Sequence, residues 1–181
     1  QIDPNLIPMR QPTTMAKPTS ELELVITRVL NAPITQVFNA WIDPVQMAKW
    51  WGPHEFTNPV CELDPRPGGQ WRVTMRSPDG EDYPLKGSFV EVDPPHRLVF
   101  TLSTKEHPPE WHAMIKAFNG AEIREILTTI TFSEDDGATT MVMCQRFATA
   151  EERAAHIHLG ARGGWGQSFD SLEELLLKQQ P

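Results

Sequence analysis

The sequence predicts an α+β fold, an antiparallel sheet packed against one long C-terminal helix, and three observations carry that expectation. Trp165, Phe169, Leu172 and Leu176 recur at helical spacing within residues 163–177, while Glu173, Glu174 and Lys178 fall off that stripe. Residues 60–147 are written mostly in short alternating apolar segments separated by Pro, Gly and Asp clusters, the pattern of an antiparallel meander and not of repeated βαβ units. Two helical patterns follow directly on the first strand. A helix with so heavy an aromatic stripe needs a broad apolar floor, and the strands can supply one.

Taken in order, residues 1–20 hold Pro4, Pro8, Pro12 and Pro18 with little periodicity and read as a flexible tail, and 21–181 read as one folded domain. Leu22, Leu24 and Ile26 alternate with Glu23, Val25 and Thr27 in a strand running to about Leu30. Pro33 suits the first turn of a helix bearing Ile34, Val37, Phe38 and Trp41. Asp43-Pro44-Val45-Gln46 opens a second helix: Asp43 caps, Pro44 takes the first position, Gln46 reaches back, and Gly52-Pro53 ends it.

Strands are expected at 60–63, 71–75, 85–92 and 98–102, with a turn at Ser77-Pro78-Asp79-Gly80 and a bulge near Gly87. A last hairpin, 125–132 with 139–147, closes around Glu134-Asp135-Asp136-Gly137. Between residues 104 and 124 the rhythm breaks. About 20 residues is long for a hairpin connection, and Trp111, Met114, Ile115 and Phe118 make this segment amphipathic or irregular, apolar enough to fold over the mouth of a cavity. Residues 148–159 read as a polar approach with a short turn capped at Thr149. Gly160, Gly163, Gly164 and Gly166 then crowd the start of the last helix. Glycine costs up to about 1 kcal/mol per helix-interior position against alanine, so this cluster marks a close backbone approach or a gap on the helix surface.

Composition narrows the function classes. A formal charge of −8, from 24 acidic and 16 basic residues, leaves no basic surplus for displacing phosphate counterions and argues against nucleic acid. No apolar run nears the roughly 20 residues that span a bilayer. Cys61 and Cys144 lie within apolar strand patterns and read as buried thiols in a reducing cytoplasm. No nucleophile elbow, phosphate loop or dinucleotide fingerprint is present, and no residue pattern calls for a metal or organic cofactor.

Several segments together resemble a known family: Asp43-Pro44 through Lys49-Trp50-Trp51-Gly52-Pro53, Pro67-Gly68-Gly69-Gln70-Trp71-Arg72, Met75-Arg76-Ser77-Pro78-Asp79-Gly80, Gly87-Ser88-Phe89, Pro94-Pro95-His96-Arg97-Leu98-Val99-Phe100-Thr101, and Gly164-Trp165 with Ser168-Phe169-Asp170-Ser171-Leu172. In this order they resemble the SRPBCC (START-like) superfamily, in particular bacterial domains related to the C-terminal domain of the activator of the heat-shock-protein-90 ATPase. The resemblance runs from about Leu22 to Leu177. It implies a helix-grip fold, a curved antiparallel sheet around the C-terminal helix with two short helices closing one end and a cavity between sheet and helix. The segment at about 105–124 departs from the family pattern as an insertion.

Given that cavity, alternation along the strands turns Trp71, Met75, Phe89, Phe100, Met143, Trp165 and Phe169 toward it, with Trp111 contributed by the insertion. The leading expectation is therefore binding of a small hydrophobic or amphipathic ligand. An enzyme of the cyclase or hydrolase type would use the same cavity, with His112 and Glu110 as the acid–base candidates. A chaperone-cofactor role, and with it a chaperone partner, rests on the family resemblance, and self-association into a homodimer stays open. His156 and His158 lie two apart, which on a helix points them about 200° apart and keeps them from chelating one metal.

Overall fold

The computed structural model describes residues 20–181, so the tail assigned to 1–20 lies, but for Ser20, outside the described residues. The elements in chain order are β1 (Glu23–Leu30), α1 (Ile34–Ile42), α2 (Pro44–Trp50), β2 (Thr57–Leu63), β3 (Gln70–Arg76), β4 (Asp82–Asp93), β5 (Arg97–Leu102), α3 (Pro109–Asn119), β6 (Ile126–Asp135), β7 (Ala138–Arg146), α4 (Ala150–His158) and α5 (Ala161–Lys178). One seven-stranded antiparallel sheet runs in the order β1-β7-β6-β5-β4-β3-β2. It is a sequential meander from β2 to β7, closed by β1 along the far side of β7. The inner face packs against α5, with α1 and α2 at one end: this is the helix-grip arrangement.

Alternation sets the inner face. Leu24 and Leu30 of β1, Trp71 and Val73 of β3, Leu98 and Phe100 of β5, Ile130 and Phe132 of β6, and Met141 and Met143 of β7 are all buried in one core with Phe169, Leu172 and Leu176 of α5. Arg28 shares β1's inner parity and reaches α5, where its guanidinium meets Asp170 at 2.8 Å and donates to the Gly166 carbonyl at 3.2 Å. That contact holds the Asp170 carboxyl below its usual range. On the other face, Arg72, Arg76 and Arg97 are solvent-accessible and pair with Glu62, Asp82 and Glu91.

The bulge lies at Val90, where the β4–β5 register shifts between Phe89 and Glu91, so Phe89 keeps its inward face. Gly87 has a different task. A Cβ there would lie 1.7 Å from the Thr101 carbonyl oxygen, which the Trp71 indole N–H also reaches, at 2.9 Å. Only a residue without a side chain permits that approach.

Asp43 caps α2 as expected: its carboxylate accepts from the Val45 N–H at 2.9 Å and from the Gln46 amide at 3.0 Å. Pro33, expected inside the first turn of α1, is instead its N-cap, and the Ile34 N–H is satisfied from the β6–β7 hairpin by Glu134, at 2.9 Å. Two segments are more regular than their sequence indicates. Residues 104–124 contain a three-turn helix, α3, stopped by Gly120 in the left-handed conformation (φ 75°). Residues 148–159 contain α4, nine residues long, capped by Thr149 accepting from the Glu152 N–H at 3.1 Å. The polar pattern of α4 hides it because only Ala155 and Glu152 are buried, and Glu152 is neutralised by Arg124 at 3.0 Å.

Helices α3 and α4 make a second, smaller core. Ile115, Ala121 and Ala155 are its buried centre, with Trp111, Ile123 and Leu159 packed around them. The protein thus has a large grip core and a small cap core.

Candidate functional site

Between sheet and helix, where a ligand cavity is expected, the space around Trp41 is filled. Trp41 is fully buried and meets Trp50, Trp51, Phe100 and Phe169 with ring centroids 4.8 to 6.2 Å apart. A gap of about 10 Å³ walled by Trp51, Trp71, Phe89, Phe100 and their neighbours has room for about one water at most. Trp71, Phe89 and Phe100 are therefore packing residues around a small gap, and Met143 and Phe169 are fully buried in the core. Sequence parity turned these five side chains inward correctly. Facing inward amounts to contact here because the opposite wall stands one aromatic ring away.

The other three predicted residues come together elsewhere. Met75, Trp111 and Trp165 line a cleft of about 220 Å³ at the seam between the grip core and the cap core. Trp51 and Met75 form the grip side, Trp111, His107, His156 and Leu159 the cap side, and Gly160, Ala161, Gly164, Trp165 and Ser168 the start of α5. Trp51 also lines the small gap.

The glycines explain why this part of the helix–sheet space is open. Gly160 and Gly164 are four residues apart and present one side of α5's start to the cleft, and a Cβ built on either meets nothing within 4 Å. The floor beneath is tied by polar contacts that alternation does not announce. Ser168 accepts from the Gly52 N–H at 3.0 Å and donates to the Gly164 carbonyl at 3.2 Å. Trp165 donates its indole N–H to Gln145 at 3.1 Å, and Gln145 in turn donates to Thr128 at 3.3 Å. Both Gln145 and Thr128 are buried on the inner sheet face.

Histidine chemistry in the cleft also differs from the prediction. His112 and Glu110 sit on α3 but do not line the cleft; His112 is hydrogen-bonded through Nε2 to the Thr104 carbonyl at 2.8 Å, and Glu110 is exposed. His107 and His156 line it instead, flanking Trp111 with ring centroids 4.7 and 5.5 Å away. The Nδ1–H of His107 donates to the Pro84 carbonyl at 2.9 Å, and that of His156 to the Glu152 carbonyl at 2.8 Å. Burial pushes His107 down to about 4 against the help of its Pro84 bond, and burial likewise lowers His156. Both are neutral at pH 7, and the His156 Nε2 lone pair is buried with no hydrogen-bond partner among the described residues. No local signal marks these two as partners, because one precedes α3 and the other lies in the last turn of α4.

No charged residue lines the cleft at neutral pH. Cys61 is pushed up to about 11 by burial, and Cys144 is raised by burial and by Glu23, so neither thiol is poised as a nucleophile. Among the described residues no group of three or more His, Cys, Asp or Glu converges to hold a metal, and no helix is long and apolar enough to cross a membrane.

With this geometry in place, its relatives can be set beside it. No curated protein matches the chain. Among solved structures, a Nitrosomonas europaea protein is 28% identical with a TM-score of 0.74, the match covering 88% of this chain and 97% of that one. A Mycobacterium smegmatis protein, also 28% identical, has a TM-score of 0.71 over 86% of this chain and 91% of that one. A Silicibacter pomeroyi protein named AHSA1 shares the fold at 21% identity, with a TM-score of 0.68 over 87% and 99% of the two chains. The family described as Activator of Hsp90 ATPase homolog 1-like protein matches residues 31–177, α1 to the end of the α5 stripe, and this chain belongs to that family.

Proposed function

We propose that the protein binds a small, neutral, largely apolar molecule in the seam cleft between α3–α4 and the glycine-rich start of α5. The observation that carries this reading is an uncharged cleft of about 220 Å³, walled by Trp51, Trp111 and Trp165, at the place where α5 dispenses with side chains. For scale, a dry cavity of about 150 Å³ accepts benzene, whereas drug-sized ligands need about 300 Å³ or more. A compound of one or two rings fits, and an extended lipid chain does not. Burying a charged headgroup against this lining would leave the charge unpaired, which disfavours carboxylates and phosphates.

Fluorine NMR of a library of small neutral fluoroaromatics tests the reading. Binding is expected in the unaltered protein and is expected to disappear in Gly164→Leu, whose side chain would occupy the cleft, with the thermal midpoint held or raised. Unchanged binding by Gly164→Leu would overturn it. The chaperone-cofactor alternative has the family name behind it and no feature of the cleft.

A further inference from the structure

The sheet ends in β1 on one side and β2 on the other, and the two edges are built differently. β2 carries the devices that keep an edge from pairing. Pro59 lies within it, its register shifts between Thr57 and Val60, and Asn58 ties it to α2 through the Ala48 and Trp51 carbonyls at 3.0 and 2.7 Å. β1 has none of these. Its eight residues include no proline or glycine and run in unbroken register with β7 from Glu23 to Leu30. Its two charges do not guard the edge, since Glu23 pairs with Arg146 and Arg28 with Asp170.

The backbone phase of β1 fixes what this edge presents. The Phe147 N–H donates to the Leu22 carbonyl at 2.9 Å, so the even-numbered residues turn their backbone groups to β7 and the odd-numbered ones turn theirs outward. Glu23 obeys that phase: its N–H donates to the Ser20 carbonyl and its own carbonyl accepts from Arg153. The N–H and C=O groups of Val25, Thr27 and Val29 have no partner among the described residues. Thr27 and Val29 are exposed. Such a row of unpaired groups is a template for another extended strand.

We infer that β1 pairs with β1 of a second copy, antiparallel about a two-fold axis at Thr27. The register singles out this occupant. With Thr27 opposite Thr27, Val25 falls opposite Val29 and Val29 opposite Val25, so the three outward donors and three outward acceptors of each strand meet in the hydrogen-bonded phase. β-Branched side chains then lie opposite one another on the outer face. Glu23 falls opposite Asn31, so no acid meets its own copy although each chain carries a charge of −8. A single strand pairing is a small interface and belongs to the weak, concentration-dependent class.

Sedimentation of the full chain across the micromolar range tests this. The mass is expected to rise with concentration toward twice that of one chain, and hydrogen exchange of the Val25, Thr27 and Val29 amides is expected to slow over the same range. Thr27→Pro removes one outward N–H and no bond to β7, and should weaken association at least about tenfold. Val29→Lys, which sets a cation on the edge, should do the same and covers the case in which proline perturbs β1. Val90→Lys, at an exposed valine on the β4 bulge, should leave association within about twofold. A single chain at every concentration, or a doubling that the edge variants leave intact, overturns the inference. So does slow exchange of the three amides at every concentration, the result expected if residues 1–19 occupy the edge.

Discussion

The two ends of the helix–sheet space differ in one respect. Around Phe169, which is fully buried, the α5 stripe meets Trp41 and Trp50 ring to ring. One to two turns earlier the same helix carries glycine, the facing elements are α3 and α4, and about 220 Å³ stays open. Aromatic residues line both regions. The contrast teaches that an aromatic-rich inner face does not by itself indicate a binding site. An opening is left here where one wall lacks side chains and two separately packed cores meet.

The largest effect that would sharpen this contrast is on stability. Trp41→Ala removes a fully buried indole and is expected to cost about 3–5 kcal/mol, whereas Trp111→Ala, at the partly open seam, should cost less than half of that while removing ligand binding. Urea unfolding of the two variants checks it, and equal losses would erase the distinction between packed and open ends.

Acid provides the next test. His107 has a folded-state value depressed to about 4 against 6.5 in the unfolded chain, so between those values the unfolded state binds more protons. Stability should rise with pH across that window and fall as pH drops from 6.5 toward 4, by an amount on the order of 3 kcal/mol. His156, lowered in the same direction, adds to it. The hydrogen-bonded carboxylates Asp43, Asp82 and Asp170 are also depressed, and their loss comes below about pH 4, a separate window. His107→Gln should flatten the pH 4–6.5 limb of a denaturation series and leave the lower limb intact; an unchanged limb would remove His107 from the account.

Smaller effects follow from two kinds of glycine. Gly87→Ala sets a Cβ against the Thr101 carbonyl and should destabilise by about 1–3 kcal/mol, with the Trp71 indole bond disturbed. Gly163, exposed in α5 with nothing within 4 Å of a built Cβ, should respond the other way, Gly163→Ala stabilising by up to about 1 kcal/mol. Thermal melts compare the pair directly. If both glycines behaved alike, the division between close-approach and open-space positions would fail.

Most of the fold was legible in the sequence because its signals are local. Alternation in β1, β3, β5 and β7, the Asp43-Pro44 start of α2 and the stripe of α5 each depend on neighbours within a few residues. The Thr149 cap of α4 was legible, but the helix was read as a short turn because its buried ion pair to Arg124 leaves no apolar period. The candidate site was legible in part. Met75, Trp111 and Trp165 line the cleft, while Trp71, Phe89, Phe100, Met143 and Phe169 belong to the packing. His107 and His156 were not legible as a pair, since only the docking of α3 on α4 brings them to either side of Trp111.

The amino-acid sequence by itself determined which residues face inward, where each turn falls, and that the start of α5 lacks side chains, because period, turn chemistry and the absence of a Cβ are properties of a few consecutive residues. The tertiary structure alone decided whether those inward faces touch or stand apart. That depends on the distance to the opposing element, and the cleft exists because the α3–α4 cap forms its own core and meets the grip along a seam that neither fills.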